Sequence, residues 1–239
     1  MNSDIVRCIL YESLSDNIRS IKNLSLISKQ WSAYISNLST KDNIKDKLDI
    51  VHQYIDKPNK CMKIAAKYGH MDIVLFMIEL KQSTPRATDW GANYWNIAMV
   101  NAAAGGHMNI VKLMIGKGAN DWNYAMVCAA YGGHMDIVQF MIEEGAHIWD
   151  WAMACAAEGG HMDIVQFMIK LNQSTPQVTD WVANNWNQAM AGAANGGHMN
   201  IVRLMIEKGA DDWNAGLSCA TRNGHNDIIE LMIEKGADN

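Results

Sequence analysis

Apolar residues recur along most of the chain in two alternating patterns. In "WNYAMVCAAYGG", residues 122–133, Ala125, Met126, Ala129 and Ala130 fall three and four apart, the spacing of one helix face. In "HMDIVQFMIEEG", residues 134–145, Met135, Ile137, Val138, Met141 and Ile142 form a second and broader stripe. Gly132 and Gly133 separate the two stripes, and Gly145 closes the second. A glycine just past a helix readily takes the left-handed conformation that ends it. The pattern therefore predicts helix, tight turn, helix, short loop. Trp122-Asn123 opens the unit, with sister pairs Trp95-Asn96, Trp149-Asp150, Trp186-Asn187 and Trp213-Asn214. This predicts Asn or Asp as the N-cap, with the Trp stapled ahead of it. No stretch alternates with a period of two over the length of a long strand.

The unit recurs. Gly-His occurs at His70, His107, His134, His161, His198 and His225, at intervals of 37, 27, 27, 37 and 27 residues. Periods of this size mark a solenoid, in which no unit can bury its apolar faces alone. The two longer intervals carry similar inserts, "QSTPRATDWGANYW" from Gln82 and "QSTPQVTDWVANNW" from Gln173, so a block of three units is written twice. The expected architecture is all-α: six helix-turn-helix repeats over residues 59–239, with long loops near 80–95 and 171–186. A small helical module at 1–40 and a linker or capping helix at 41–58 precede them.

The stretch "AAYGGHMDIVQFMIEEGA" resembles the second half of an ankyrin repeat, although Tyr124-Ala125-Met126-Val127 stands where that family carries Thr-Pro-Leu-His. The resemblance implies an ankyrin-type solenoid with shortened loops, whose first helices line a protein-binding groove. Before the array, Ile21-Lys22-Asn23-Leu24-Ser25-Leu26-Ile27-Ser28-Lys29-Gln30-Trp31 resembles an F-box, with Asn2-Ser3 in place of that family's opening Leu-Pro. This second resemblance implies that Ile5, Ile9, Leu10, Leu24, Ile27 and Trp31 engage the small adaptor subunit of a cullin–RING ubiquitin ligase, for which the array would hold the target. The layout is similar to proteins encoded in multiples by large DNA viruses, which implies residence in the host cytoplasm. On the residues alone, the same segment equally fits a helical cap over the first repeat, with the array a stand-alone scaffold.

Comparison between repeats separates scaffold from surface. Counted back from each Gly-His histidine, positions −9, −8, −5 and −4 are nearly constant, while −10, −7 and −3 vary and share one face of the first helix. The −10 column reads Ile97, Tyr124, Trp151, Gln188, Ala215, and the −7 column Val100, Val127, Ala154, Ala191, Ser218. The −3 column reads Lys67, Ala104, Tyr131, Glu158, Asn195, Arg222. Tyr124, Trp151, Tyr131, Glu158, Gln188, Asn195 and Arg222 are thus the candidate partner-binding residues, with the aromatics as anchors. The loop tips Trp90 and Trp181 form a second candidate surface.

Charge and chemistry narrow the classes. A net charge of −5 without a basic stripe argues against capture of nucleic acid or an anionic membrane. No run approaches the roughly 20 apolar residues of a membrane span. Five cysteines give no disulfide framework and point to a reducing, intracellular setting. One histidine per repeat cannot converge on a metal, because packed repeats lie roughly 10 Å apart and zinc ligands about 2 Å from the ion. The histidine instead reads as fixing the turn between the helices. Cys128, Cys155 and Cys219 share a column and read as small buried thiols. The expectation is a monomeric, cofactor-free, non-enzymatic protein whose partners are proteins.

Overall fold

The computed structural model describes residues 58–83, 93–174 and 183–238. The N-terminal residues Ile5, Ile9, Leu10, Leu24, Ile27 and Trp31, and the tips Trp90 and Trp181, lie outside the described residues. Among the described residues all regular structure is helical. The elements are α1 (Pro58–Lys67), α2 (Met71–Ser83), α3 (Tyr94–Ala104), α4 (Met108–Gly116), α5 (Trp122–Gly132), α6 (Met135–Glu143), α7 (Trp149–Gly159), α8 (Met162–Ser174), α9 (Ala183–Gly196), α10 (Met199–Glu207), α11 (Trp213–Asn223) and α12 (Asn226–Lys235). They pair into six helix-turn-helix repeats of an ankyrin-type solenoid. No helix among them is long and apolar enough to cross a membrane.

Two compact units are present, one ending at Ala102 and including Asn109–Ala119, the other comprising Ala103–Met108 and Asn120–Asn239. In the first, α1 packs on α2 around the buried Met62, Ala65, Ala66, Ile73 and Met77. In the second, first helices pack on one another in order, α5 on α7, α7 on α9 and α9 on α11. Each also packs on its own second helix. The first-helix seam is built from alanine: Ala125, Ala129, Ala130, Ala152, Ala156, Ala157, Ala189, Ala193 and Ala194 are fully buried. Such small side chains let neighbouring helices approach closely. Met126, Met153 and Met190 are fully buried with them, as are the second-helix residues Ile137, Val138 and Met141. Methionine's adaptable shape suits such positions, which account for much of the 17-Met content.

The turn between helices is where repeats are joined. Gly133 and Gly160 cap α5 and α7 at φ 79 and 81, in the left-handed region. The histidine that follows each turn reaches back to the preceding repeat. His134 Nε2 lies 3.2 Å from Ala104 O, His161 Nε2 2.9 Å from Tyr131 O, His198 Nε2 3.0 Å from Glu158 O, and His225 Nε2 3.1 Å from Asn195 O. A carbonyl only accepts, so Nε2 carries the proton in each. The two glycines have different reasons. A Cβ on Gly133 would overlap the His161 ring, whereas one on Gly159 would overlap Tyr131 O. The histidine therefore fixes the junction with the preceding repeat as well as its own turn.

The helix starts correct a sequence expectation. Trp122, Trp149 and Trp213 are the first helical residues, and the caps are Asp121, Ile148 and Asp212. Asp121 Oδ1 accepts from Tyr124 N at 3.4 Å and Asp212 Oδ1 from Ala215 N at 3.0 Å. The Asn residues read as caps instead stitch forward. Asn123 Oδ1 accepts from His147 N at 2.8 Å, Asn187 Oδ1 from Asp211 N at 2.7 Å, and Asn214 Oδ1 from Asp238 N at 2.9 Å. Each bond satisfies a loop amide 24 residues downstream. The long inserts also begin later than expected, because α2 and α8 run on to Ser83 and Ser174. No glycine interrupts "IELKQS" or "IKLNQS", where α6 is stopped by Gly145.

Substitution at matched glycines separates backbone strain from repeat contact. Gly224 has φ 74 with open space around its Cβ position, and Gly133 has φ 79 with His161 in the way. Gly224→Ala is expected to cost the left-handed penalty, about 1–2 kcal/mol. Gly133→Ala exceeds it by roughly 1 kcal/mol or more as the His161 hydrogen bond is displaced; urea unfolding of both variants measures the difference.

Candidate partner-binding face

Two of the variable columns, −10 and −3, lie on the side of the first helices that faces away from the alanine seam. Alternation of three and four along α5 and α7 sends the constant alanines and methionines inward. The −10 and −3 positions are left outside. Tyr124 is 46% exposed, Trp151 48% and Tyr131 54%. Six large apolar side chains are exposed to this degree among the described residues, and three of them stand on these two helices. Tyr124 and Trp151 meet, with ring centroids 6.1 Å apart and planes inclined at 46°, within the range of favourable aromatic pairs.

The polar candidates form a second cluster. Glu158 Oε1 accepts from Asn195 Nδ2 at 2.9 Å, and Asn195 Oδ1 accepts from Asn223 Nδ2 at 2.7 Å. Three successive first helices are joined by this chain, and Glu158 and Asn195 are half-buried. Gln188 and Arg222 are exposed and carry no part of it. Asn223 was not among the sequence candidates. Its signal is that it replaces the glycine found at Gly132, Gly159 and Gly196.

The −7 column does not line the surface as its neighbours do. Val100 and Val127 are buried at 8% and 4% exposure, Ala154 and Ala191 are half-buried, and Ser218 alone in the column is exposed. On α5 and α7 this column forms the floor between the aromatic residues at one end and Tyr131 and Glu158 at the other. Seven residues of helix separate the two ends, about 10 Å.

The shared cysteine column stands on the same first helices, and Cys128, Cys155 and Cys219 are half-buried rather than the buried thiols expected. Burial raises the Cys155 thiol to about 11, with the negative charges of Glu158 and then Cys128 adding to the effect. Burial, then Asp121, also raises Cys128. Such thiols stay protonated at neutral pH and make poor nucleophiles. The histidine Nε2 atoms are engaged by carbonyls, and no group of His, Cys, Asp and Glu suited to a metal is found among the described residues.

Stacked helical repeats with constant packing columns and a variable exposed face are the architecture of a protein-interaction scaffold. The model of the family described as "Ankyrin repeats (3 copies)" matches residues 62–151 and 152–239. The chain belongs to the ankyrin-repeat family. No curated protein matches it in sequence. Among solved structures, the human ASB11 ankyrin repeat domain is similar at 18% identity and a TM-score of 0.45, over 74% of this chain and 84% of that one.

The thiol environment gives a direct check on burial. With its proton held to about pH 11, Cys155 is expected to stay largely unalkylated by iodoacetamide at pH 8 in the folded protein. Labelling should rise steeply only above about pH 10, and peptide mapping after quenching reads the site.

Proposed function

We propose that the protein captures a partner protein on the face formed by Tyr124, Trp151, Tyr131 and Glu158. The observation that carries this reading is the pairing of Tyr124 and Trp151 while both remain about half exposed. Side chains of that size are seldom left in water together unless something covers them. The rest of the variable columns, including Gln188, Asn195 and Arg222, would extend the contact. Trp90 and Trp181 would add a second one from the long loops.

The finer proposal is that of a substrate adaptor, in which the N-terminal segment joins the protein to a cullin–RING ubiquitin ligase in the cytoplasm. Its support is the sequence "IKNLSLISKQW" and nothing beyond it. A viral, host-directed role follows from the same likeness of layout.

One observation favours the alternative, a cap. At the fifth residue after each Gly-His histidine the repeats carry Lys112, Gln139, Gln166, Arg203 and Glu230, all exposed, but the first repeat carries Leu75, 46% exposed. Tyr68, 62% exposed, likewise replaces the glycine of the following four repeats. An apolar residue in an otherwise polar column suits a surface covered by another part of the chain, and a solenoid end needs such covering.

A pull-down of the full-length protein with the purified ligase adaptor subunit distinguishes the two. The adaptor reading expects binding that is lost in the Ile9→Asp/Leu24→Asp double variant. A folded wild-type chain that does not bind leaves the cap reading in its place. Independently, Trp151→Ala is expected to weaken capture of a cross-linked partner by at least about tenfold.

A further inference from the structure

The partner-binding face has a charge character as well as an aromatic one. Along α5, α7 and α9 the charged side chains are Asp150 and Glu158, both acidic, and neither Lys nor Arg occurs. Asp150 is adjacent to Trp151, and Glu158 lies two turns further along the same face. Within this unit's first helices the sign changes only on α11, with Arg222. The other basic residues described in this unit lie on second helices or at their ends, such as Lys170 on α8, Arg203 on α10 and Lys208 just after it. The aromatic pair therefore stands in a negative local field, with no cation of its own row to satisfy it.

From this juxtaposition we infer that the face takes a partner segment bearing an arginine or lysine side chain, laid against the rings of Tyr124 and Trp151. The inference rests on the reading of this face as the partner-binding surface. The face of an aromatic ring is its negative pole, so a cation placed over Trp or Tyr is attracted to it. Arginine suits the site particularly, because its planar head stacks on a ring while its stem covers apolar surface. Asp150 and Glu158 lie within about a Debye length and add attraction for the same sign of charge. A partner segment of acidic or purely apolar composition would forgo that attraction or be repelled. Half-burial of Glu158, with one oxygen held by Asn195 Nδ2, keeps its charge fixed in place.

The test is a selection of displayed random 12-residue peptides on the immobilised full-length protein. Binders are then sorted by loss of affinity for Trp151→Ala and Tyr124→Ala, whose folding is checked by circular dichroism. The inference expects the sensitive peptides to be enriched in Arg and Lys. Replacing the decisive Arg by citrulline, which is neutral and nearly isosteric, should weaken binding roughly two- to thirty-fold. Glu158→Gln should weaken the Arg peptide but not the citrulline peptide. Sensitive peptides that lack basic enrichment, or that bind equally with citrulline, overturn this inference and leave the face as a binding surface. If no peptide depends on Trp151 or Tyr124, both the inference and the reading beneath it fall.

Discussion

The structure depends on an imidazole laid across a glycine. Each histidine from His134 to His225 donates Nε2–H to a carbonyl of the repeat before it, and its ring rests where a side chain on that repeat's second glycine would stand. One contact thus serves two ends. It satisfies a carbonyl near the end of a helix, which would otherwise need water or a cap. It also fixes the spacing to the neighbour, across a glycine turn that is left-handed even at Gly224, where no ring covers it. The bonds accepted by Asn123, Asn187 and Asn214 secure the other end in three of the repeats. With both ends of a first helix tied to neighbouring repeats, the alanine seam between them can close.

That arrangement is what lets the outer face vary. The histidine bonds use no side chain at −10 or −3; they take only the backbone carbonyl of the −3 residue, which any residue supplies, while the side chains of Glu158 and Asn195 add a bond of their own between repeats. Ala104, Tyr131, Glu158 and Asn195 all accept the same bond. The histidine junction is therefore indifferent to which residue stands there. Tyr124 and Trp151 can sit half exposed, and Glu158 can hold a charge, without disturbing a packing column. A partner surface placed on such positions can change while the stack remains the same.

Much of this was legible from periodicity, because helix faces repeat locally and glycines end helices locally. The six helix pairs, the buried alanines and the exposed aromatics follow from spacings of three, four and 27 residues. What escaped depends on partners far along the chain. Asn123 looks like a cap when only its own helix is considered, and its true acceptor role lies 24 residues ahead. The bond from Asn223 to Asn195 spans 28 residues and has no local signature beyond a missing glycine. Val127 shares the periodicity of Tyr124 and Tyr131 yet is buried at 4% exposure, on a helix packed against both α6 and α7. Pattern alone gives the direction of a side chain but not the depth of the surface around it.

The central claim is that recognition is written on residues the fold does not need. The most direct measurement is urea unfolding of the triple variant Tyr124→Ala/Tyr131→Ala/Trp151→Ala beside the wild type. Exposed positions with one aromatic contact between them predict a combined loss of no more than about 1.5 kcal/mol, with the slope unchanged. A loss approaching the 3–5 kcal/mol typical of even one buried aromatic would contradict the account. It would make these rings part of the core rather than of the outer face.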